Sequence, residues 1–233
     1  MLTFLGLFFW FCLPGVEAQT GQKIDLAGLP SVAATAREFV PPGWLIEAQT
    51  EGDLNRDSIP DLAVTMVEKM PADADKDSPP ERERALLILF NTPDGRLSRA
   101  ALAEKVLLCT RCGGAFFGGV ETPSKVEINN GVIVIKQEYG SREVTQETLR
   151  FRYDPEAKRF VFIGVDVKSY DRLTGESLME SSNFLTSVKL TTKSKVNPKT
   201  DKEVAVSNTR RRVSFKKKFI EDVAAPYSEQ EEK

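Results

Sequence analysis

The sequence contains no histidine among its 233 residues. Without imidazole, the chain has no Ser-His-Asp or Cys-His catalytic system, no His-ligated zinc site and no access to the commonest general base. Catalysis would have to rely on carboxylates, lysine, tyrosine, cysteine or a bound metal. Whether the chain is an enzyme stays open at this point, and the lack of histidine argues against enzymatic activity.

An excess of one charge is also lacking. Lys and Arg together number 32 and Asp and Glu number 34, so the formal net charge is only −2. No overall field directs the chain to nucleic acid, and we do not expect a nucleic-acid partner. A hydrophobic content of 41% with 28% charged residues is typical of a globular protein with a substantial core.

Cysteine is scarce, and the only close pair is Cys109 and Cys112 in the glycine-rich stretch LLCTRCGG. In an oxidising compartment a local disulfide is the simplest interpretation, and it would fix the turn. A thioredoxin-like redox pair is an alternative, although the glycines favour a loop over the helix N-terminus that such a pair needs. A zinc site would need two more soft ligands. We therefore predict a structural disulfide.

Residues 1–18 have the pattern of a secretory signal peptide. The apolar run from Leu2 to Leu13 is followed by Pro-Gly and by a small residue, Ala18, suited to cleavage. This run is shorter than the ~20 apolar residues that a membrane span requires. It departs from the usual signal-peptide pattern in one respect, since no Lys or Arg precedes the apolar run. We predict a secreted or periplasmic protein with no transmembrane span after cleavage.

The remaining chain predicts a mainly β fold, with a single antiparallel β-rich domain at 42–196. The segment 19–41 carries the pattern of one short helix, at 29–39, and 197–233 has the composition of a polar, charged C-terminal tail. Within the domain, Asn130-Gly131 between alternating apolar residues is a strong hairpin signal. Asp154-Pro155 marks a second hairpin, flanked by aromatic residues that can pair across strands.

The stretch GDLNRDSIPDL, at 52–62, spaces oxygen donors at alternate positions of one loop. Calcium takes six to eight oxygen ligands, which a tight loop can supply from positions one, three, five, seven and nine. These positions correspond to Asp53, Asn55, Asp57, the Ile59 carbonyl and Asp61. We predict a calcium site there. The alternative is an Asx-rich turn that binds nothing, since Asp and Asn favour turns on their own.

This loop resembles the calcium loop of FG-GAP (integrin α-type, VCBS-like) repeats, in which strands flank a D-x-N-x-D-x-x-x-D-L pattern. The resemblance implies a β domain with calcium bound at the loop. An EF-hand does not fit, because its twelfth position would be Val64 and not a bidentate glutamate. Ser58 departs from the pattern, since it stands where a glycine is usual and must adopt an unusual backbone conformation.

The resemblance extends to a group of uncharacterised bacterial secreted proteins. The shared features are the loop, the CTRCGG element and a Y-D-x-x-T-G segment, in this order, over roughly residues 42–190. It implies a bacterial envelope setting and brings no activity with it.

Two further charged segments have less specific patterns. Asp73, Asp75, Asp77 and Glu81 repeat the one-three-five-nine spacing, but prolines and a charged continuation indicate a solvated loop. The basic cluster at 210–218 could bind an anionic polymer or lipid. We interpret it instead as a solvated tail or an edge strand whose charges prevent aggregation.

The leading hypothesis for function is a non-enzymatic, calcium-stabilised module that binds a protein or a polysaccharide. One alternative is an enzyme, either a thiol-disulfide oxidoreductase using Cys109 and Cys112 or a carboxylate hydrolase. Another is an inhibitor-like protein that caps a secreted partner. A binding module predicts an apolar or aromatic patch beside the calcium loop.

Overall fold

The computed structural model describes residues 24–117 and 121–227, and the predicted mainly β fold is confirmed. The described strands form two antiparallel sheets, and no helix in the described residues is longer than a four-residue 3₁₀ turn. The predicted signal peptide at 1–18 lies outside the described residues.

The smaller sheet has five strands in the order β1-β5-β4-β3-β2. Its strands are β1 Val32–Ala33, β2 Trp44–Gly52, β3 Asp61–Glu68, β4 Arg84–Asn91 and β5 Leu97–Ala103. The continuous apolar run of β4 places this strand at the centre, where both faces of the sheet are covered.

The larger sheet has seven strands that neighbour one another in chain order. Its strands are β6 Ser124–Asn129, β7 Val132–Gly140, β8 Glu143–Asp154, β9 Arg159–Asp171, β10 Glu176–Asn183, β11 Val188–Asn197 and β12 Lys202–Arg212. The predicted hairpin between β6 and β7 is confirmed, with φ of 52° at Asn130 and 76° at Gly131. Two successive positive φ values define the turn that fits strand twist best.

The two sheets pack face to face over a shared apolar core. The predicted aromatic pairs of β8 and β9 lie in it, with ring centroids 5.0 Å apart for Phe151 and Phe162 and 5.3 Å apart for Tyr153 and Phe160. A second apolar cluster covers the opposite face of the smaller sheet, where the N-terminal segment contributes Phe39 beside Trp44. Both faces of the smaller sheet are therefore buried.

The predicted short N-terminal helix is not confirmed. Two 3₁₀ turns, Leu26–Gly28 and Ala36–Phe39, flank the two-residue strand β1 instead. The segment satisfies its backbone by pairing with β5, as in the hydrogen bond from the Arg99 N–H to the Ser31 carbonyl at 2.9 Å. Pairing with a neighbouring strand therefore outweighs the helical pattern.

The segment 197–233, expected to be a polar tail, contributes strand β12 and a buried contact. All eleven residues of β12 are exposed, so hydrogen bonding to β11 holds this strand and burial does not. Beyond it, Ile220 and Val223 enter the core between the sheets. Sequence polarity alone cannot exclude an edge strand, because such a strand buries no side chains.

A buried guanidinium holds the smaller sheet to the segments around Cys109 and Thr122. The Arg84 side chain, 3% exposed, donates to both carboxylate oxygens of Glu47 at 2.7–3.0 Å. Its Nη1 also donates to the carbonyls of Thr122, Leu108 and Cys109 at 2.9, 3.3 and 3.4 Å. Bidentate pairing and carbonyl acceptors together satisfy a charge that would otherwise be costly to bury.

We expect Arg84→Met to lower the free energy of unfolding by about 3–5 kcal/mol, because it leaves Glu47 and three carbonyls without a donor. Denaturant titration measures the loss. Arg96→Met, at an exposed turn position, is the matched control and should change stability by less than about 0.5 kcal/mol. Equal losses in the two variants would contradict this role of Arg84.

Candidate binding cleft and aspartate loop

The aspartate loop, defined as residues 53–61, begins with a carboxylate that organises the backbone. Asp53 Oδ1 accepts from the Arg56 N–H at 2.6 Å, and Oδ2 accepts from the Ser58 N–H at 2.9 Å. Arg56 and Ser58 both have positive φ, of 68° and 69°. The unusual backbone conformation predicted for Ser58 is thus confirmed, at the position where glycine would adopt it without strain.

The middle of the loop is a series of Asx turns. Asn55 Oδ1 accepts from the Asp57 N–H at 3.0 Å, and Asp57 Oδ1 accepts from the Ile59 N–H at 2.8 Å. The Asn55 amide also donates to Asp57 Oδ2 at 2.9 Å. Side-chain oxygens therefore satisfy the backbone of a loop that lies outside both sheets.

The loop ends at a buried carboxylate. Asp61 is 0% exposed, with Oδ2 accepting from the Leu54 N–H at 2.8 Å and Oδ1 from the Asn91 N–H at 3.0 Å. Burial raises the pKa of Asp61, and the nearby Asp57 carboxylate raises it further, while these backbone donors oppose the shift. Asp61 thus ties the entry of the loop to the end of β4.

The donor set is the kind that calcium takes, but the ligand atoms are not drawn into one cluster. Among the described residues, only Glu81, Cys109 and Cys112 form a group of three acidic or cysteine side chains whose ligand atoms lie within 4.8 Å of one another. The carboxylates of the aspartate loop do not form such a group. Binding of a cation there would require these side chains to rotate toward one another.

The predicted disulfide is present. Cys109 and Cys112 are bonded to each other at an S–S distance of 2.04 Å, and Cys109 is buried. Their proximity to Glu81 therefore does not make a metal site, since neither sulfur is a free thiolate. The Cys109 carbonyl faces Arg84, so the bridge lies at the junction held by that guanidinium.

One buried carboxyl could in principle serve acid–base chemistry. Burial raises the pKa of Glu147, 1% exposed, to about 7, against hydrogen bonds that lower it. Its Oε1 accepts from the Tyr227 N–H at 2.7 Å, and Oε2 lies 3.4 Å from the Gln137 amide nitrogen. Because the carboxyl is enclosed and already accepts hydrogen bonds from Tyr227 and Gln137, its position indicates a role in docking the C-terminal segment that carries Tyr227.

The pH dependence of stability should reveal Glu147. A folded-state pKa of about 7, above the ordinary 4.5, means that its contribution is full below pH 4.5 and is lost as pH rises through 7. We expect unfolding titrations between pH 4.5 and 8 to show wild type losing up to about 3 kcal/mol relative to Glu147→Gln. Glu138→Gln, on the neighbouring strand β7, keeps Glu147 and should therefore follow the wild-type pH dependence. Parallel curves for wild type and Glu147→Gln would be the contrary result.

A cleft of about 720 Å³ lies beside the aspartate loop. Its lining comes from residues 54–56, 152–155, 161–163, 184–185 and 215–217. The first of these belongs to the aspartate loop and the others to the larger sheet and the segment that follows β12. The aspartate loop thus forms one wall of the cleft, while the ends of β8 and β9 form another.

A row of aromatic rings leads from the core into the cleft. The ring of Phe162, buried in the core, lies 4.7 Å from that of Phe184, which lies 4.5 Å from that of Phe215. Phe184 and Phe215 are half-buried, and the neighbouring Leu185 is 54% exposed. The cleft therefore has an apolar floor anchored in the core.

The rim of the cleft is cationic. Arg56, Arg152 and Lys216 are exposed, and none has a carboxylate partner within 4.0 Å in the described part of the chain. The lining contains one acid, Asp154, whose Oδ2 accepts from Lys217 Nζ at 2.9 Å. Three positive charges are thus left for an external anion.

Sequence patterns alone did not identify the cleft. Asn55 precedes Phe184 by 129 residues and Phe184 precedes Phe215 by 31, so only the folded arrangement of distant segments brings them together. The basic cluster at 210–218 did carry a signal, since it supplies Phe215, Lys216 and Lys217 to the lining.

Comparisons with protein-family models, curated proteins and solved structures return no match for this chain. The described residues include no helix with the length and apolar character needed to cross a bilayer. Inference about function therefore rests on the geometry of the cleft and the aspartate loop.

Proposed function

We propose that this protein is a calcium-stabilised binding module whose ligand, a protein or a polysaccharide, occupies the cleft. The observation that carries the proposal is the shared wall: Leu54, Asn55 and Arg56 of the aspartate loop line a cleft with an aromatic floor. Concave, largely apolar sites with a few charged groups are the usual form of ligand sites. An ion that fixes the loop would also fix one wall of the site.

Calcium would be held by Asp53, Asn55, Asp57, the Ile59 carbonyl and Asp61. Support comes from the all-oxygen donor set and from the loop backbone, which wraps around the Asp53 carboxylate. The buried Asp61 carboxylate, whose pKa is raised, would be relieved of part of its desolvation cost by a nearby cation. The resemblance to FG-GAP loops points the same way.

Binding is favoured over catalysis by the state of the reactive groups. Cys109 and Cys112 are bonded to each other, and Glu147 is enclosed by the chain. A secreted or periplasmic location is part of the proposal, supported by the disulfide and by the apolar N-terminal run at 2–13.

Calcium should stabilise the folded state. At a calcium concentration of 100 times the dissociation constant, we expect the free energy of unfolding to rise by about 2.7 kcal/mol over an EDTA-treated sample. Magnesium should do much less, because its octahedral preference suits this donor set poorly. Thermal unfolding with EDTA, calcium or magnesium measures these differences.

The aspartate loop has a matched control in the chain. Asp53→Asn/Asp57→Asn should abolish the calcium effect, whereas Asp73→Asn/Asp75→Asn removes the same charges from an exposed loop and should leave it intact. An unchanged melting temperature in calcium, or a calcium effect that survives the first double variant, would refute the proposed site.

Binding should depend on the aromatic floor of the cleft. We expect Phe215→Ser to lose most of the signal on arrays of immobilised glycans and peptides, since the variant removes an apolar anchor worth on the order of 2 kcal/mol. Leu173→Ser, at a residue 77% exposed and outside the cleft, should bind as wild type does. Array signals that are the same for both variants would place the binding site elsewhere.

A further inference from the structure

We infer that the cleft takes an acidic polypeptide segment, bound in extended form with one aromatic or large aliphatic side chain on the floor. This inference rests on the proposed function and specifies its ligand. Three features of the cleft favour this class of ligand: free backbone groups along one wall, unpaired cations on the rim, and an apolar floor of limited size.

The backbone of residues 214–217 is available to a ligand. This segment is held at its two ends, where the Val213 N–H donates to the Ser187 carbonyl and the Lys218 carbonyl accepts from the Phe162 N–H, both at 3.0 Å. Between these points, the backbone groups of 214–217 make no hydrogen bond within the described residues. The three lining residues 215–217 thus carry backbone N–H and C=O groups with no partner in the described residues.

Such an edge suits a peptide better than a sugar. An extended peptide carries alternating N–H and C=O groups that can pair with a free backbone, as in strand addition to a sheet edge. A neutral polysaccharide carries no carboxylates, so it would leave the cations of the rim without a counter-charge, and the lining has only Asn55 and Tyr153 as neutral polar side chains. The rings also pack against one another at interplanar angles of 69° and 56°, and do not form a flat platform for sugar stacking.

The charges specify an acidic ligand. Arg56 lies on the aspartate-loop side of the cleft, Arg152 at the end of β8, and Lys216 on the segment after β12. Carboxylates on either side of a central apolar residue could therefore meet cations on more than one wall. Guanidinium groups bind carboxylates with two parallel hydrogen bonds, which adds direction to the attraction.

The apolar floor specifies the central residue of the ligand. Phe184 and Phe215 are half-buried, and Leu185 is exposed beside them. A single phenylalanine, tyrosine or leucine side chain placed here would cover these groups. Recognition of peptides commonly combines such an anchor with main-chain hydrogen bonds.

The test uses the calcium-loaded full chain and fluorescence anisotropy at low salt. The probe is a fluorescein-labelled pentapeptide with blocked ends, in which phenylalanine is flanked on each side by two acidic residues. Three further ligands are compared with it: the same peptide with amide side chains in place of the acids, the acidic peptide N-methylated along its backbone, and tetragalacturonate as an acidic oligosaccharide. We expect the acidic peptide to bind at least about ten-fold more tightly than any of these.

Matched variants of the protein locate the binding. Arg152→Gln/Lys216→Gln should weaken the acidic peptide by about ten-fold and flatten its salt dependence. Lys195→Gln/Lys202→Gln removes the same charge from the exposed ribbon of β11 and β12 and should leave affinity unchanged. Circular dichroism and thermal unfolding establish that each variant is folded.

The outcomes separate this inference from the proposed function. The acidic-peptide assignment would be overturned if the amide peptide bound as tightly as the acidic one, or if tetragalacturonate bound more tightly. If that binding were lost in Phe215→Ser, the cleft would still be the binding site. Equal binding of the N-methylated peptide would overturn the role of the 214–217 backbone. No binding by any of the four ligands, together with no effect of calcium on stability, would overturn both proposals.

Discussion

The buried guanidinium of Arg84 fastens together three parts of the chain: strand β4, strand β2 and the segments around Cys109 and Thr122. It opens the central strand β4, pairs with Glu47 of β2 and donates to the Cys109 and Thr122 carbonyls. This buried charge adds to the strand pairing of the smaller sheet and to the hydrogen bonds between Arg82 and Thr110. Such a group is stable when buried only if every donor is satisfied. The Cys109–Cys112 disulfide constrains the turn whose Cys109 carbonyl accepts from Arg84. The disulfide and the guanidinium therefore hold the same turn in place.

The cleft depends on a second junction, where the aspartate loop packs against the larger sheet. The Asp53 carbonyl lies close to Gly131 of the β6–β7 turn, and the loop wall then faces Phe184 and Phe215 across the cleft. One wall comes from the loop between β2 and β3 and the others from the larger sheet and the segment after β12, so the shape of the cleft depends on how the two sheets pack. A cation in the loop would stiffen a wall that is already organised by backbone hydrogen bonds to the Asp53 and Asp61 carboxylates.

Local signals in the sequence predicted local structure well. Asn130-Gly131 predicted its hairpin because few residues tolerate two positive φ values, and the alternation of β8 and β9 predicted their aromatic pairs. The predicted N-terminal helix was not confirmed because residues 32–33 within it pair with β5, where Val32 lies opposite Ser98, 66 residues further along the chain. The cleft could not be predicted from the sequence for the same reason, since no short-range pattern relates Asn55 to Phe215. Arg84 and Glu147 likewise gave no sign of burial, because a charged residue in a strand usually faces solvent.

The strand order of the larger sheet has a consequence for how the chain folds. From β6 to β12 every strand pairs with the next one in sequence, so each step of assembly closes only a short loop. The smaller sheet instead needs β1 to reach β5, where Val32 pairs with Ser98. Contacts between residues close in sequence form faster than distant ones. Strands β2 to β5 and the whole larger sheet can therefore pair hairpin by hairpin, and the pairing of β1 with β5 is the one that must close a long stretch of chain.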